Sequence, residues 1–419
     1  MDYSKFLKYI YTRHSSDVKL GLGRIKKIVD LMGEPNKKIG GFHVGGTNGK
    51  GSTSAILESI CFCSGFTTGL NTSPHLKQYT ERFRINTKEI DQRQIKRSYK
   101  KWEKIFIQNQ ASFFEMTTAM AFDVFFQSKV DLTIFEVGLG GRLDATNVFY
   151  PNVSLITSVS LDHTKTLGAT TREIAQEKAG ILKKGVPIVI GKMDLESLEV
   201  IKNRAISLKI KPIIYQKDFF VSNIRLTPNY TSFDYKFKNF ELKNLKTNLL
   251  GTHQVLNCSY AITAFIEYMR LFNKKIKLEL IKKALFNVNW MGRMQIISQN
   301  PLVMVDGAHN IEGITTLVTS LKRIFYKKKP IFVVSILRDK NIKLILEKIV
   351  SIASKVYVAK NMSSRAAETF QQTKILDELG IEYFSTQSVK EAKNLAVARA
   401  KTDDIIVICG SLYTVCEVL

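Results

Sequence analysis

The sequence has few cysteines and no long apolar run. Its five cysteines are odd in number and scattered: Cys61, Cys63, Cys258, Cys409 and Cys416. Their spacing matches neither a zinc finger nor a redox motif, so we expect reduced thiols and no disulfide framework. No stretch approaches the roughly 18 consecutive apolar residues of a membrane helix, and the first residues show no secretory cleavage pattern. These absences predict a cytoplasmic protein with no membrane partner.

The sequence also has no internal repeats, low-complexity tracts, or linkers rich in proline or serine. Of its 419 residues, 45% are hydrophobic and 24% are charged, which is typical of a globular protein with a substantial core. At ~150 residues per domain, this length predicts two or three domains.

Acidic residues are fewer than basic ones: the chain has 37 Asp and Glu and 62 Lys and Arg, which gives a net charge of +25. A surplus this large can mark a nucleic-acid-binding protein. However, the basic residues are spread along the chain, as in "NKKIKLELIKK" and "YKKKP", and form no single block. We therefore favour a solvated surface that attracts small anionic substrates, with no nucleic-acid partner. A nucleotide-gated nucleic-acid-binding protein remains the alternative from another functional class.

Short β-branched runs alternate with helical segments in the first half of the chain. The predicted strands are 40–44, 131–138, 153–160 and 186–191, and the predicted helices include 52–66 and 171–182. Buried parallel strands separated by helices are typical of a doubly wound α/β sheet.

The pattern changes at two places further along. Residues 218–247 alternate polar and apolar positions, which predicts a small antiparallel insertion in the first domain, and a long helix from near His253 to Leu271 follows. From about residue 290 the α/β pattern resumes with five short strands, enough for a separate Rossmann-like domain. We therefore predict two domains, residues 1–292 and 293–419.

The stretch "FHVGGTNGKGST" (42–53) resembles a phosphate-binding loop but departs from the pattern G-x-x-x-x-G-K-[ST]. Gly51 follows Lys50, so the hydroxyl residues Ser52 and Thr53 come one and two places late. A glycine-rich turn from a strand into a helix points backbone N–H groups at an anion, and Lys50 adds a positive charge. A simple tight turn is the alternative, but it would need neither the lysine nor the hydroxyls.

Polar side chains follow the strands that neighbour this loop. Ser73 lies in "NTSPHL", Glu136 ends the strand 131–138, and His163 follows the strand 153–160. Such strand-end groups can hold a nucleotide's magnesium ion, although a turn-forming serine, a solvated carboxylate and a structural histidine are the simpler readings. Arg142 and Asp144 lie on a glycine-rich loop that we expect to face a substrate.

Taken together, these stretches resemble folylpolyglutamate synthase and dihydrofolate synthase, of the ATP-dependent Mur ligase superfamily. The matching segments occur in family order from residue 43 to 418, and the displaced hydroxyl of the loop is the family's normal form. They are "GGTNGKGST", "SPHL", "YTERFRIN", "FFEMTTAMAF", "EVGLGGRLDATN", "TSVSLDHTKTLG", "QEKAGI", "GTHQVLN", "GRMQI", "DGAHN", "DKN" and "ICGSLYTVCEV".

The resemblance implies Mur ligase architecture: a P-loop-type ATPase domain with a small insertion, then a Rossmann-like ligase domain. It also implies a reaction. A substrate carboxylate attacks the γ-phosphate of ATP to give an acyl phosphate, and the amine of L-glutamate then displaces phosphate. The implied acceptors are reduced folates and 7,8-dihydropteroate, which places the enzyme in folate biosynthesis and one-carbon metabolism. ATP, two Mg²⁺ ions and a monomeric enzyme are expected.

The resemblance assigns roles residue by residue. Lys50, Glu136, His163 and Lys178 are the expected catalytic residues, and ATP is expected between the domains. The expected magnesium ligands are Ser73, Glu136, His163 and Lys178, the last matching a lysine that the family carbamylates. The expected ATP-binding residues are Asn48, Gly49, Lys50, Gly51, Ser52, Asn257, Arg293 and Asp306.

Three segments match those with which bifunctional bacterial members contact dihydropteroate. They are Val18–Leu20, then Ser112, Phe113, Phe114 and Glu115, and finally Leu143, Asp144 and Ala145. Lys19 stands where bifunctional members can carry an acid, so a folylpolyglutamate synthase without dihydrofolate synthase activity is kept as an alternative. A ligase for a peptidoglycan precursor is disfavoured, because no separate leading domain for a UDP-sugar is expected.

Overall fold

A computed structural model describes residues 3–13 and 21–419. The chain divides into two compact units. The first comprises Met1–Ser222, Asp234–Leu245 and Leu256–Asn289, and the second comprises Asn223–Phe233, Lys246–Val255 and Trp290–Leu419. The division after Asn289 lies close to the expected boundary at 292/293, and two short segments before it also belong to the second unit.

The first unit contains an eight-stranded sheet. Its strands are β1 Gly41–Gly45, β2 Thr68–Asn71, β3 Phe83–Ile85, β4 Lys88–Glu89, β5 Leu132–Glu136, β6 Val153–Ile156, β7 Ile188–Ile190 and β8 Ile213–Ile214. Their order is β4-β3-β2-β5-β1-β6-β7-β8. All neighbours from β2 to β8 pair in parallel, whereas β3 and β4 form an antiparallel edge. This is the doubly wound sheet that the alternating pattern predicted.

Helices surround this sheet, and side chains of the preceding residues cap several of them. In residues 3–13 and 21–222 they are α1 Tyr3–Thr12, α2 Gly23–Leu31, α3 Lys50–Cys63, α4 Gln92–Gln108, α5 Phe113–Gln127, α6 Thr164–Leu167, α7 Thr171–Ala179 and α8 Leu195–Ser207, with 3₁₀ helices Pro35–Lys37, Tyr79–Arg82 and Ala145–Val148. Ser112 and Thr170 form capping boxes with the glutamates three residues later, which fixes where α5 and α7 begin.

Aromatic side chains fill the core between α5 and β5. The ring of Phe135 lies 4.6 Å from that of Phe122, 4.9 Å from that of Phe149 and 5.7 Å from that of Phe125, measured between centroids. All four rings are buried. This packing anchors β5, whose last residue is Glu136.

A separate three-stranded sheet occupies the region where an insertion was expected. Its strands are β9 Phe219–Leu226, β10 Thr231–Phe237 and β11 Phe240–Thr247, in the order β11-β10-β9. Parts of each strand belong to each unit. The long helix α9, Thr252–Leu271, follows close to its predicted bounds, and α10 is Leu278–Phe286.

The second unit contains a six-stranded sheet. Its strands are β12 Gln295–Gln299, β13 Leu302–Val305, β14 Ile331–Val334, β15 Lys355–Val358, β16 Tyr383–Ser385 and β17 Ile405–Cys409, in the order β12-β13-β17-β14-β15-β16. Its helices are α11 Ile311–Ile324, α12 Ile342–Val350, α13 Thr369–Leu379, α14 Val389–Arg399 and α15 Leu412–Cys416. Five strands are parallel as predicted, whereas the antiparallel edge strand β12 was not predicted. It is half-exposed and has no continuous apolar run.

Within residues 3–13 and 21–419, no helix is both long and apolar enough to cross a membrane.

Candidate active site

A glycine-rich loop connects β1 to α3, and two of its glycines leave no room for a side chain. Gly46 has a φ of +140°, and a Cβ there would lie 1.9 Å from Thr157 Oγ1. Gly49 has a φ of +84°, and its Cβ would lie 2.4 Å from Asn257 Oδ1. Both positions therefore require glycine, because a side chain would be strained and would collide. The loop opens directly onto the N-terminus of α3, where the helix dipole attracts anions.

The segment after β6 holds this phosphate loop in place. Thr47 N donates to Ser158 O at 2.9 Å, and Asn48 N donates to Ser158 Oγ at 3.0 Å. The Thr157 hydroxyl donates to Asn48 O at 2.6 Å. Sequence reasoning missed Thr157 and Ser158, although hydroxyl residues at the end of a strand next to the loop strand were a usable signal.

The predicted hydroxyl residues lie in the first turn of α3. Gly51, Ser52 and Thr53 are all buried, so the extra residue after Lys50 moves the first hydroxyl one place further along the helix. The structure therefore contains the strand, glycine-rich turn and helix that a phosphate-binding loop needs.

Two lysines converge on one carbonyl oxygen of the loop. Lys50 Nζ donates to Gly46 O at 3.0 Å and to Thr47 O at 3.1 Å. Lys178 Nζ, from α7, donates to the same Gly46 oxygen at 2.9 Å. Sequence reasoning from the residues alone would place Lys178 on a surface helix, but the structure buries it at the phosphate loop.

Burial and, to a lesser extent, the nearby charge of Lys50 together lower the pKa of Lys178 to about 7, against opposing effects of Asp162 and Asp144. A lysine with such a pKa is partly neutral near neutral pH. A neutral amine is the form that reacts with carbon dioxide, so the environment of Lys178 suits carbamate formation.

Glu136 and Ser73 come together at the edge of the sheet. Glu136 is buried and pairs in register with Val44, just before the phosphate loop. Its Oε2 accepts hydrogen bonds from Ser73 N at 3.0 Å and from the Thr72 hydroxyl. Because β5 separates β2 from β1, Ser73 neighbours Glu136 rather than following a strand directly adjacent to β1.

His163 lies further along the same edge. It is exposed, has a φ of +51° and precedes the short helix α6. In residues 3–13 and 21–419, no group of three or more His, Cys, Asp or Glu side chains is placed to hold a metal ion. Mg²⁺ needs only one or two carboxylates together with phosphate oxygens and water. The oxygen atoms of Glu136 and Ser73 fit that requirement, whereas the His163 nitrogen is a less typical magnesium ligand.

The N-terminus of α5 carries four predicted substrate-binding residues. The ring of Phe113 is buried against Tyr11, at 5.6 Å between centroids, and Arg82 lies over it at 5.1 Å. Phe114 is half-buried, and its ring packs so closely on Gly138 that a Cβ there would lie 2.4 Å from Cζ. Of the two rings, Phe114 is therefore the one available to a ligand.

Glu115 is largely engaged within the protein. Its carboxylate accepts from Arg24 Nε at 3.1 Å and from Ser112 N at 2.8 Å. Sequence reasoning missed Arg24. The first of the three predicted substrate-binding segments, Val18–Leu20, lies outside the described residues.

The loop of residues 138–146 carries Leu143, Asp144 and Ala145, and Asp144 holds it together. The Asp144 carboxylate is buried and accepts from Leu139 N at 2.8 Å, from Thr146 N at 3.0 Å and from the Thr146 hydroxyl at 2.5 Å. Burial raises the pKa of Asp144, and these hydrogen bonds oppose that rise. The Asp144 side chain therefore shapes the loop from inside, contrary to the expectation that it is free to face a substrate.

The same loop is bound tightly to α7. Arg142 Nη2 lies 2.7 Å from Glu177 Oε1, and Arg142 N donates to Glu177 O at 2.7 Å. A Cβ at Gly141 would lie 2.8 Å from Glu177 O, and one at Gly180 would lie 2.4 Å from Arg142 Cα. Because Lys178 follows Glu177, the 138–146 loop and Lys178 are held in a fixed relation. Arg142 is thus a structural clamp.

In the second unit, Asp306 and Arg293 frame the turn after β13. Asp306 is buried and accepts from Met294 N and from Ala308 N, each at 2.8 Å. Arg293 Nη1 donates to Gly292 O at 3.2 Å. Burial lowers the pKa of neighbouring His253 to about 4, although Asp306 opposes the shift.

Comparison with known proteins shows the family to which the chain belongs. Residues 44–265 match the family model of the Mur ligase middle domain, and residues 292–412 match that of the Mur ligase, glutamate ligase domain. A dihydrofolate synthase/folylpolyglutamate synthase from Bacillus subtilis (strain 168) is 33% identical over 99% of this chain and 98% of that protein. The chain belongs to the folylpolyglutamate synthase/dihydrofolate synthase family of Mur ligases. It is an ATP-dependent ligase, as the resemblance implied.

Other relatives of this ligase agree. A folylpolyglutamate synthase from Lacticaseibacillus casei is 32% identical over 99% of this chain and 97% of that protein. The solved Mycobacterium tuberculosis folylpolyglutamate synthase complexed with ADP and AMPPCP superposes with a TM-score of 0.92, at 28% identity, over 99% of this chain and 97% of that one. E. coli FolC in complex with DHPP and ADP gives a TM-score of 0.90, at 31% identity, over 100% and 97%. These structures confirm the predicted Mur ligase architecture.

The close contact at Gly49 predicts a specific loss of nucleotide binding by the ligase. We expect Gly49→Ala to weaken ADP binding by at least about tenfold, or ~1.4 kcal/mol, because the new Cβ meets Asn257. Gly65→Ala is the matched control, since Gly65 has a similar φ of +92° but open space around it. Calorimetric titration with ADP measures both. Equal affinities in the two variants would contradict this account of the loop.

Proposed function

We propose that this ligase adds L-glutamate to folates, acting as a folylpolyglutamate synthase and also on 7,8-dihydropteroate. The observation that carries the proposal is the junction at α7. Helix α7 places Lys178 at the phosphate loop and, through Glu177, forms an ion pair with Arg142 of the 138–146 loop. The resemblance assigns this loop to the acceptor. The names of the relatives, and the DHPP and ADP held by one of the similar structures, support this choice of substrates.

In the first step the acceptor's carboxylate oxygen attacks the γ-phosphorus of ATP. A new O–P bond forms, the bond to the bridging oxygen breaks, and ADP leaves with that electron pair. Negative charge increases at the phosphates, so the main task of the protein is to position the groups and neutralise charge. The loop N–H groups, the start of α3 and the ammonium of Lys50 supply the neutralising positive charge.

In the second step the glutamate amine attacks the carbonyl carbon of the acyl phosphate. The C–N bond forms, the C–O bond to phosphate breaks, and inorganic phosphate and one proton are released. The protein must hold the acceptor's carboxyl group in place through both steps, because correct orientation lowers the activation barrier. The proposed acceptor contacts are Ser112, Phe114 and the 143–145 backbone, while Glu115 fixes the α5 N-terminus.

Magnesium is part of the proposal. Ser73 and Glu136 would hold one ion together with His163, and a carbamate on Lys178 would provide an anionic ligand for a second. When bound, Mg²⁺ neutralises charge on the transferring phosphoryl group. We further assign Asn257, which touches the phosphate loop at Gly49, to ATP binding. Arg293 and Asp306 are assigned to ATP by family resemblance.

An assay with two acceptors tests the proposed reaction. With ATP, Mg²⁺ and glutamate, we expect ADP formation and glutamylated product from both tetrahydrofolate and 7,8-dihydropteroate. Product from tetrahydrofolate alone would support the alternative without dihydrofolate synthase activity.

Other outcomes of that assay would contradict the proposal. Absence of product from either folate acceptor would do so, and turnover with a UDP-muramoyl acceptor would favour peptidoglycan synthesis. ATP hydrolysis stimulated by nucleic acid but independent of glutamate, with steep salt dependence of binding, would favour the nucleic-acid alternative.

Alanine substitutions of Lys178 and Lys50 should both lower activity, but only one of the two losses should be rescued by a carboxylic acid. Lys178→Ala should lose most activity because the proposed anion at this position is gone, and a short-chain carboxylic acid should restore part of it. Lys50→Ala is the control: it should lose turnover without any rescue, because its role needs a positive charge. Turnover rates with and without acetate measure both effects. Normal activity of Lys178→Ala would rule out a functional carbamate.

A further inference from the structure

We propose that His43 and Thr146 are positioning residues that hold the 138–146 loop in the form that binds the acceptor. Neither residue belongs to the phosphate loop or to the proposed ligand contacts. The inference rests on the proposed function, since it takes the 143–145 backbone as part of the acceptor site.

A chain of hydrogen bonds connects the middle of β1 to this loop. His43 is completely buried, and its Nε2 lies 2.8 Å from Thr146 Oγ1. Thr146 Oγ1 in turn lies 2.5 Å from Asp144 Oδ1. The other carboxylate oxygen accepts from Leu139 N at 2.8 Å, so the chain ends on the loop's own backbone.

The chemistry of the three groups fixes the direction of the chain. A carboxylate only accepts, so the single hydroxyl proton of Thr146 is donated to Asp144. His43 Nε2 must then be the protonated nitrogen, donating to Thr146 Oγ1. Burial and, to a lesser extent, the positive charge of Lys183 together lower the pKa of His43 to about 3, so the imidazole is neutral. In the part of the chain that the structure describes, His43 Nδ1 has no hydrogen-bond partner.

The unpaired Nδ1 means that burying this histidine lowers the stability of the protein. A buried polar atom without a partner destabilises a protein, and an apolar residue would suit a fully buried parallel strand better. Among residues 3–13 and 21–419, the hydrogen bond to Thr146 is the one that the imidazole nitrogens make, and it offsets part of this cost. The contact links the strand that leads into the phosphate loop with the loop proposed to hold the acceptor.

Two substitutions at Thr146 separate positioning from general stability. Thr146→Val keeps the shape but removes the hydroxyl, whereas Thr146→Ser keeps the hydroxyl. We expect Thr146→Val to raise the KM for tetrahydrofolate at least about tenfold, with the KM for ATP changed less than about twofold. Thr146→Ser should stay close to the unmodified protein in both constants.

His43→Leu should reproduce the effect of Thr146→Val, and the double variant should be no worse than either single one, because both break the same chain. The matched control is Ser154→Ala. Ser154 pairs in register with His43 on β6, is equally buried, and its hydroxyl has no partner in the described part of the chain. It should leave the KM for both substrates unchanged.

Hydrogen exchange gives a readout that is independent of the reaction. The amide of Leu139 should exchange faster in Thr146→Val than in Thr146→Ser, while amides of the phosphate loop are unaffected. An unchanged Leu139 amide, or equal increases in the KM for tetrahydrofolate and for ATP, would overturn the inference. If the loop amide responds but the unmodified protein glutamylates no folate, the proposed function fails while the hydrogen-bond chain stands.

Discussion

The carbonyl oxygen of Gly46 accepts hydrogen bonds from both Lys50 and Lys178, and the rest of the site is arranged around this convergence. The two amino groups repel each other when both are protonated, and burial adds to the cost of charging Lys178. The arrangement makes physical sense in a site that receives anions. A triphosphate at the loop, and an anionic form of Lys178, would each relieve the repulsion.

The second constraint is the tight packing of the 138–146 loop against α7. Glycines at 141 and 180 allow backbone atoms to approach, and the Arg142–Glu177 pair closes the contact. The loop therefore cannot shift without moving the segment that carries Lys178. Under the proposed function, this coupling keeps the acceptor carboxylate and the phosphoryl group in register through two successive steps, where small displacements are costly.

The elements that the sequence predicted well are those with a local signal. The alternating apolar runs located β1, β5 and β6, and the departure at Gly51 marked the loop. Edge strand β12 gave no such signal because it is half-exposed. The burial of Lys178 and the inward direction of Asp144 depend on partners far along the chain, Gly46 and Leu139–Thr146, which no local pattern encodes. The ion pair of Arg142 with Glu177 was not predicted, because the glycines of the loop suggested a mobile loop rather than a closely packed one.

The central claim is that the acceptor's carboxylate attacks ATP directly at this phosphate loop. It can be tested with an acceptor whose reacting carboxyl group carries ¹⁸O, in the presence of ATP, Mg²⁺ and glutamate. The account predicts that each turnover transfers one ¹⁸O from the carboxyl group to the released inorganic phosphate, measured by mass spectrometry. Unlabelled phosphate, with the oxygen lost from the carboxyl group found in another released product, would contradict an acyl-phosphate route and with it the role proposed for the site.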